Sequence, residues 1–519
     1  MRLCRVYAAL AATLICTAPA NPSVAAEPST SRAVAFERSL PVRLLQQAQT
    51  RRSTVVPSRI NPLLGEADQG RRGTWLRNAS PLDPLLLGLQ NASHTPRLDL
   101  EFDGTANPFA CGGCSPPDTV GAVGKNYYVQ VVNATKVAIF NKTDGSPAGA
   151  FDLGSLWTSG TCTTDIGDPV VLYDQFADRW VMSQLGSPQH VCIAISQTGD
   201  PLGAYFLYTF DVTEFADYLK LGIWPNAYYG SANQSSYAAF AFNRAKMLAG
   251  DPSAEVVRFD GETNLLLPAN ADGTKAPKGG GLFYTFKDDQ FHGGQDRVEV
   301  FELDPDFKNP NNSTFGLIDT IPIASFTYTV CGFFNFDCIP QKQSSRKVDA
   351  VSEWPMHRLS YRKWKDATSL IGDFTVGGGT ASPGAAVRWF ELRFSNGHWT
   401  LYQEGTQDLD DGLNRFMGSI SMDGKGNIAL GYSASSSNAF PSIRYATRKK
   451  TDPLGTLGKE RTMVAGGGSQ TASDRWGDYT AMTVDPVGGC QFWYTNEYYN
   501  VSSGSDWKTA IGAFHLCKK

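Results

Sequence analysis

Short runs of small and β-branched residues, each ended by a polar turn and answered by an aromatic-rich run, recur through most of this chain. The clearest copies are Gly167-Asp-Pro-Val-Val-Leu-Tyr-Asp-Gln-Phe-Ala-Asp-Arg-Trp-Val-Met-Ser-Gln184 and Gly477-Asp-Tyr-Thr-Ala-Met-Thr-Val-Asp-Pro-Val-Gly-Gly-Cys-Gln-Phe-Trp-Tyr-Thr-Asn-Glu497. Each opens on Gly-Asp, reaches a second Asp that starts the turn, and returns on aromatic residues, which predicts a β-hairpin.

Further hairpins open at Pro116-Pro-Asp-Thr119, at Leu221, at Lys347-Val-Asp349 and at Arg415, while the stretch from Gly281 to Leu303 supplies strands without a clear opening motif. Asn243 to Ala249 reads as a short surface helix, and Arg97-Leu-Asp-Leu-Glu-Phe102 as a strand free to pair far along the chain. Four-stranded units repeating every ~50–70 residues are what a propeller needs, because each small twisted sheet buries both faces only against its neighbours in a ring. The expected fold is therefore all-β: a single six- or seven-bladed β-propeller over residues 105–519. Two stacked sandwiches are the alternative, but they give no reason for the opening motif to recur.

The first residues add a compartment. Arg2 and Arg5, the apolar run from Val6 to Cys16 and the small residues Val24-Ala-Ala26 have the layout of a secretory signal over 1–26, and the run is shorter than the ~20 residues a bilayer requires. Residues 27–104 are rich in Arg, Pro, Ser and Leu and read as a leader or linker, with a pro-segment as the functional alternative. A secreted or periplasmic protein without a membrane span is expected.

Of 10 cysteines, eight follow the signal. In an oxidising compartment they suggest the neighbour pairs Cys111–Cys114, Cys162–Cys192, Cys331–Cys338 and Cys490–Cys517, although spacing alone does not fix the connectivity. A redox or zinc role for Cys111-Gly-Gly-Cys114 is the minor alternative, without a second CxxC or a nearby His to complete a metal set. The formal net charge of -4 offers no basic field, which argues against a nucleic-acid partner.

At the level of motifs, Pro116-Pro-Asp-Thr119, Gly167-Asp-Pro-Val-Val-Leu-Tyr-Asp174 with Arg179-Trp180, Trp224-Pro-Asn-Ala-Tyr-Tyr229, Arg244-Ala-Lys-Met-Leu248, Gly418-Ser-Ile-Ser-Met-Asp423 with Gly431-Tyr432, and Arg475-Trp-Gly-Asp-Tyr479 together resemble a family of secreted bacterial propeller-like proteins. The resemblance covers most of the chain after the signal and implies the fold and the secretion. Members of that family mostly have no assigned activity. A looser similarity is to sialidase-like propellers, whose Asp box is echoed by Ser421-Met-Asp-Gly-Lys-Gly-Asn427 with a shifted Gly and no Trp.

Candidate chemistry follows from the repeat. The second Asp of a unit, as in Asp174, Asp423 and Asp485, falls at a turn and is expected to cap backbone N–H groups. The first, as in Asp118, Asp168, Asp349 and Asp478, precedes an innermost strand, so all four are expected at one mouth of the central channel. There they could brace adjacent blades, bind a hard cation such as Ca²⁺, or act as an acid/base pair. Asp168, Asp478, Asp349 and Glu497 are the catalytic candidates. Asp118, Trp224, Tyr228, Tyr229, His357, Arg358, Arg388, Glu391, Arg415, Arg475 and Trp476 are the substrate-binding candidates, since aromatic rings with carboxylates and Arg suit a sugar site.

No metal ligand set is assigned and no cofactor is required. The functional expectation is a glycan-active enzyme, a glycoside hydrolase before a polysaccharide lyase. The alternative is a non-catalytic propeller, monomeric like the enzyme, that binds an extracellular glycan or protein.

Overall fold

The computed structural model describes residues 27–48, 83–86, 95–235, 237–262, 265–331, 337–364, 367–381 and 383–517. The expected signal over 1–26 and much of the leader lie outside them. Almost all the regular structure is strand, as the hairpin pattern requires.

Among the described residues the strands group into seven four-stranded units, over 120–152, 170–211, 217–262, 267–322, 359–407, 414–464, and 481–515 with Leu100–Ala106. We number them blades 1 to 7. Blades 4 and 5 share one eight-stranded sheet, because their innermost strands Leu267–Asp272 and Leu359–Lys363 pair in parallel, Ala269 opposite Leu359 and Asp272 opposite Arg362. The innermost strands touch one another in order, and that of blade 7 returns to that of blade 1. This is a closed, propeller-like ring, and the stacked-sandwich alternative falls with it.

Closure is made by the early strand. Leu100–Ala106 runs antiparallel to Lys508–His515, with Leu100 opposite Ala513 and Phe102 opposite Ile511, and so supplies the outermost strand of the last blade. Phe102 then packs on Phe140 of blade 1 and Trp493 of blade 7, which seals the seam with apolar surface.

The leader is more structured than its composition suggests. Ala35–Arg38 pairs with the outer strand of blade 2 and Ser29–Arg32 with that of blade 3, covering two sheet edges that would otherwise be open. Asp83 reaches blade 5, where its carboxylate meets the Arg388 guanidinium and both side chains are fully buried. Further on, the Thr95 carbonyl accepts from Arg461 Nε and its hydroxyl accepts from the Thr447 N–H and hydroxyl, all on blade 6. Segments that read as a linker therefore form a belt around the ring.

The short helix Arg244–Ala249 follows from its ends: the Asn243 side chain accepts from the Lys246 N–H, and Gly250 takes the left-handed turn at φ 68°. The second Asp residues cap their turns as expected. Asp174 Oδ1 accepts from Phe176 N, Asp423 Oδ1 from Lys425 N, and Asp485 Oδ1 from Val487 N. The four expected cysteine pairs all stand at bonding distance, with Cα–Cα separations of 5.0–5.8 Å.

The belt yields a test. Removing the Asp83 carboxylate leaves the buried Arg388 guanidinium with only the more distant Glu404 carboxylate, at 3.4 Å, as a counter-charge, which costs about 3 kcal/mol. Asp83→Ala should lose that much in urea unfolding, and a loss below about 1 kcal/mol would show that the pair does not hold the belt to blade 5.

Candidate functional site

Asp118 and Asp168 stand two residues ahead of their innermost strands and Tyr218 just inside its own, all in the left-handed region at φ 43°, 48° and 53°. Met417 adopts it at 52°, at a bulge within the innermost strand of blade 6. Asp tolerates that conformation better than most residues because its short side chain can bond locally. This is one physical reason for the Asp in the repeated motif.

Those Asp side chains join blades. The Asp478 N–H donates to Asp118 Oδ1 at 2.8 Å, tying blade 7 to blade 1. Asn133 Nδ2 donates to Asp118 Oδ2 at 2.6 Å, while Asn133 Oδ1 accepts from the Asp168 N–H at 3.0 Å, tying blade 1 to blade 2. The Tyr218 N–H donates to Asp168 Oδ2 at 2.9 Å, continuing to blade 3. Gly167 explains the Gly of the motif: a Cβ there would stand 3.2 Å from Asn133 Oδ1, at a φ of 147°. The motif thus encodes a chain of braces through four blades.

Above the braces lies a cavity of about 610 Å³. Asp118, Asp168, Asp217, Asp474 and Asp478 line it with Arg346 and Arg475, and the remaining wall is mostly small residues with Ile166, Leu185 and Phe215. Arg475 grips Asp478 through both of its carboxylate oxygens, a two-pronged contact that fixes its fork.

Beneath the cavity the channel is blocked. Lys220 Nζ stands 3.4 Å from the centre of the Tyr218 ring and 3.7 Å from that of Tyr479, and donates to the Tyr218 and Leu219 carbonyls at 3.3 Å each. Tyr218 belongs to blade 3 and Tyr479 to blade 7, yet their rings lie 5.6 Å apart. Side chains of blades that are not neighbours can meet only across the axis, so this cluster is a plug. The site is a closed cup, not a through-channel.

Burial governs the electrostatics. It pushes the Asp118 carboxyl up to about 7, with the nearby Asp168 adding to the rise, and the same two causes bring Asp217 to about 7. Burial lowers Lys220 to about 7, against the pull of Asp168, Asp118 and Asp217. Carboxyls and amine therefore share protons near neutrality, a strongly interacting set.

Of the sequence candidates, Asp118, Asp168, Asp478 and Arg475 line the cup. Asp349 does not. It lies in the connection before blade 5, with only 3% of its surface exposed and its Oδ1 turned to the Ala350 and Val351 N–H groups. Its backbone N–H donates to the Asp474 carbonyl at 2.8 Å, so it supports the cup wall from behind. Glu497 is also behind the wall, buried, with Oε1 accepting from the Gly477 N–H at 2.6 Å and its carboxyl held well above the usual range by burial.

The aromatic candidates lie elsewhere. The strand Asp217–Ile223 carries Trp224 to the far end, roughly 20 Å from the cup. There Trp224 packs edge-on to Tyr361, Tyr228 donates to Asp174 Oδ2 and Tyr229 donates to Asn226 Oδ1. Trp476 is fully buried and donates to Ser433 Oγ. His357 is buried among the channel residues, its pKa pushed well below the usual value by burial and by the charges of Lys220 and Arg358. Arg358 pairs with Asp272 at 2.6 Å.

Arg388 binds Asp83, Glu391 pairs with Arg393 at 2.8 Å, and Arg415 is surrounded by Asp408, Asp411 and Glu460, all within blades 5 and 6 or against the belt. Each is a structural ion pair. Asp217, Asp474, Asn133, Arg346 and the plug residues were missed by sequence reasoning. At the entry of blade 3 Tyr218 takes the left-handed position that Asp168 takes in blade 2, so Asp217 falls one residue ahead of the motif's Asp and no Gly-Asp marks it.

No family model matches the chain, and no curated protein matches it, so the family resemblance drawn from the motifs has no independent support. Solved structures similar to it at low identity include a β-propeller domain and a WD40 domain. The β-propeller domain of Swd1 from Myceliophteria thermophila has 8% identity, covers 80% of this chain and 100% of its own, and gives a TM-score of 0.38. The WD40 domain of SCAP from fission yeast has 9% identity, with 79% and 97% covered and a TM-score of 0.33. Drosophila Plexin A in complex with Semaphorin 1b has 7% identity, with 82% and 88% covered and a TM-score of 0.36.

The cup predicts a pH dependence. A carboxyl raised in the folded state binds more protons than in the unfolded chain, so its stabilisation is complete below about pH 4 and is lost as pH rises to about 7. The slope approaches ~1.4 kcal/mol per pH unit for one such group. Asp118→Asn should flatten the fall in unfolding free energy between pH 4 and 7 by about that much; an unchanged slope would show that Asp118 titrates normally.

Proposed function

We propose that this chain is a secreted propeller that binds a polar extracellular ligand, a glycan or a basic segment of a partner protein, in the cup at one mouth of its ring. The observation that carries this reading is the cavity, open at the mouth and blocked beneath by the Tyr218–Lys220–Tyr479 plug, that five carboxylates and two arginines line. A closed cup with charged walls recognises by hydrogen bonds and charge. Without Trp or Tyr among the residues that line it, it has no platform on which an apolar sugar face would stack.

Secretion is part of the same reading. It rests on the signal-like residues 1–26 and on four cysteine pairs, which persist in an oxidising compartment. No helix among the described residues is long and apolar enough to cross a membrane.

A second reading, glycoside hydrolysis, is favoured by one feature. Burial and Asp168 push Asp217 up to about 7, so Asp217 could hold the proton a leaving group needs while Asp168 acts from the same cup. Of the candidates Asp168, Asp478, Asp349 and Glu497, Asp168 is then kept and Asp217 takes the place of the others, since Asp478 is clamped by Arg475 and Asp349 and Glu497 lie behind the wall.

One experiment addresses both. The purified mature protein is screened by calorimetry against oligosaccharides, amino sugars included, and basic peptides, with release of reducing ends followed in parallel. Asp217→Asn and Arg346→Ala should each weaken binding at least ~10-fold, a change of about 1.4 kcal/mol, while Trp224→Phe at the far end leaves it unchanged. Turnover abolished by Asp217→Asn would support hydrolysis. Binding insensitive to both cup variants would sink the proposal.

A further inference from the structure

The wall of the cup contains a group that neither functional reading uses. Cys111-Gly-Gly-Cys114 closes a disulfide across a sequence separation of 3, against 30 for Cys162–Cys192, 7 for Cys331–Cys338 and 27 for Cys490–Cys517. A bond that closes so small a loop restricts the unfolded chain least of the four, so stability gives the weakest reason for its presence.

Its two ends face different surroundings. Cys114 lines the cavity, whereas Cys111 is 3% exposed and packs in the core. A reagent entering through the cup therefore reaches Cys114 before Cys111. The Cys114 backbone N–H donates to Cys111 Sγ at 3.1 Å, where it would stabilise negative charge on that sulfur if the bond between them broke.

The wall is also anchored independently of the bond. The Cys114 carbonyl accepts from Trp507 Nε1 at 2.8 Å and from Asn107 Nδ2 at 3.1 Å, and Ser115 Oγ donates to Gln470 Oε1 at 2.9 Å. Opening the disulfide would leave these contacts in place. By contrast, Cys162 and Cys192 are both fully buried, with no route for a reagent short of unfolding.

We propose that Cys111–Cys114 is an exchangeable disulfide that accepts electrons from a small thiol bound in the cup. The thiolate attacks Cys114 Sγ, a new S–S bond forms there, the Cys111–Cys114 bond breaks, and its electron pair leaves on Cys111, which takes up a proton from solvent. A second thiolate attacks the incoming thiol's own sulfur in the mixed disulfide and releases Cys114 as a thiolate, which is protonated in turn. Two thiols are thereby oxidised to one disulfide and the Cys111–Cys114 pair is reduced to two thiols. The cup wall becomes a redox-dependent element of whatever the cup binds.

The full mature protein is titrated with reduced glutathione, quenched, alkylated and mapped by peptide mass spectrometry, with tryptophan fluorescence reporting the fold. Cys111 and Cys114 should label at a glutathione concentration at least ~10-fold below that needed for Cys162 and Cys192, with the fluorescence unchanged. Labelling of all four only together, as the protein unfolds, would overturn the proposal. A second arm treats Cys111→Ser and Cys114→Ser with oxidised glutathione. Cys111→Ser should form the mixed disulfide at Cys114 at least ~10-fold faster than Cys114→Ser forms it at Cys111, and equal rates would overturn the assigned point of attack.

Discussion

The pairing of Leu100–Ala106 with Lys508–His515 is the constraint on which this architecture rests. A propeller blade is a small twisted sheet that buries both faces only if it has a neighbour on each side, so an open arc would expose one face at each end. Taking the outermost strand of the last blade from before the first blade joins the ends of the ring by a backbone ladder. The cysteine pair Cys490–Cys517 then fastens the terminal strand within that blade. Closure also fixes where each innermost strand begins, and hence that the residues entering those strands share one mouth.

That shared mouth imposes a compromise on its carboxylates. Asp118 accepts from the Asp478 N–H of blade 7 and from the Asn133 amide of its own blade, and Asp168 from the Tyr218 N–H of blade 3, which turns part of their bonding capacity inward to hold the ring. Burial, with the charge of the neighbouring Asp168, raises Asp118 and Asp217 to about 7, and burial lowers Lys220 to about 7. Brace and binding surface are therefore one set of atoms. The Tyr218–Lys220–Tyr479 plug lets this work, since a buried ammonium between two rings is attracted by their faces while it balances the carboxylates above.

Much of this was legible in the sequence because it is local. Gly-Asp before a strand, a second Asp at the turn and aromatic residues on the return specify a hairpin within twenty residues, and the capping by Asp174, Asp423 and Asp485 follows directly. The disulfide pairs also join sequence neighbours. What failed was information about which end of a strand a residue occupies. Trp224 and Tyr228 close and reopen strands of blade 3 at the end opposite Asp217, so a motif that looked like sugar-site chemistry is blade packing. Arg388 looked equally functional, because its partner Asp83 lies 305 residues away in a stretch that reads as a linker. Asp349 mimicked the opening motif but stands ten residues ahead of its blade's innermost strand, which begins at Leu359.

Amide hydrogen exchange of the native protein, resolved along the segment 100–106, tests the closed ring most directly. If the ring is closed by that strand, its paired amides should exchange as slowly as those of Lys508–His515, because opening either breaks the same ladder. Exchange of 100–106 at the rate of an unstructured terminal segment, with 508–515 still protected, would contradict the closure and with it the common mouth at which Asp118, Asp168 and Asp478 are brought together.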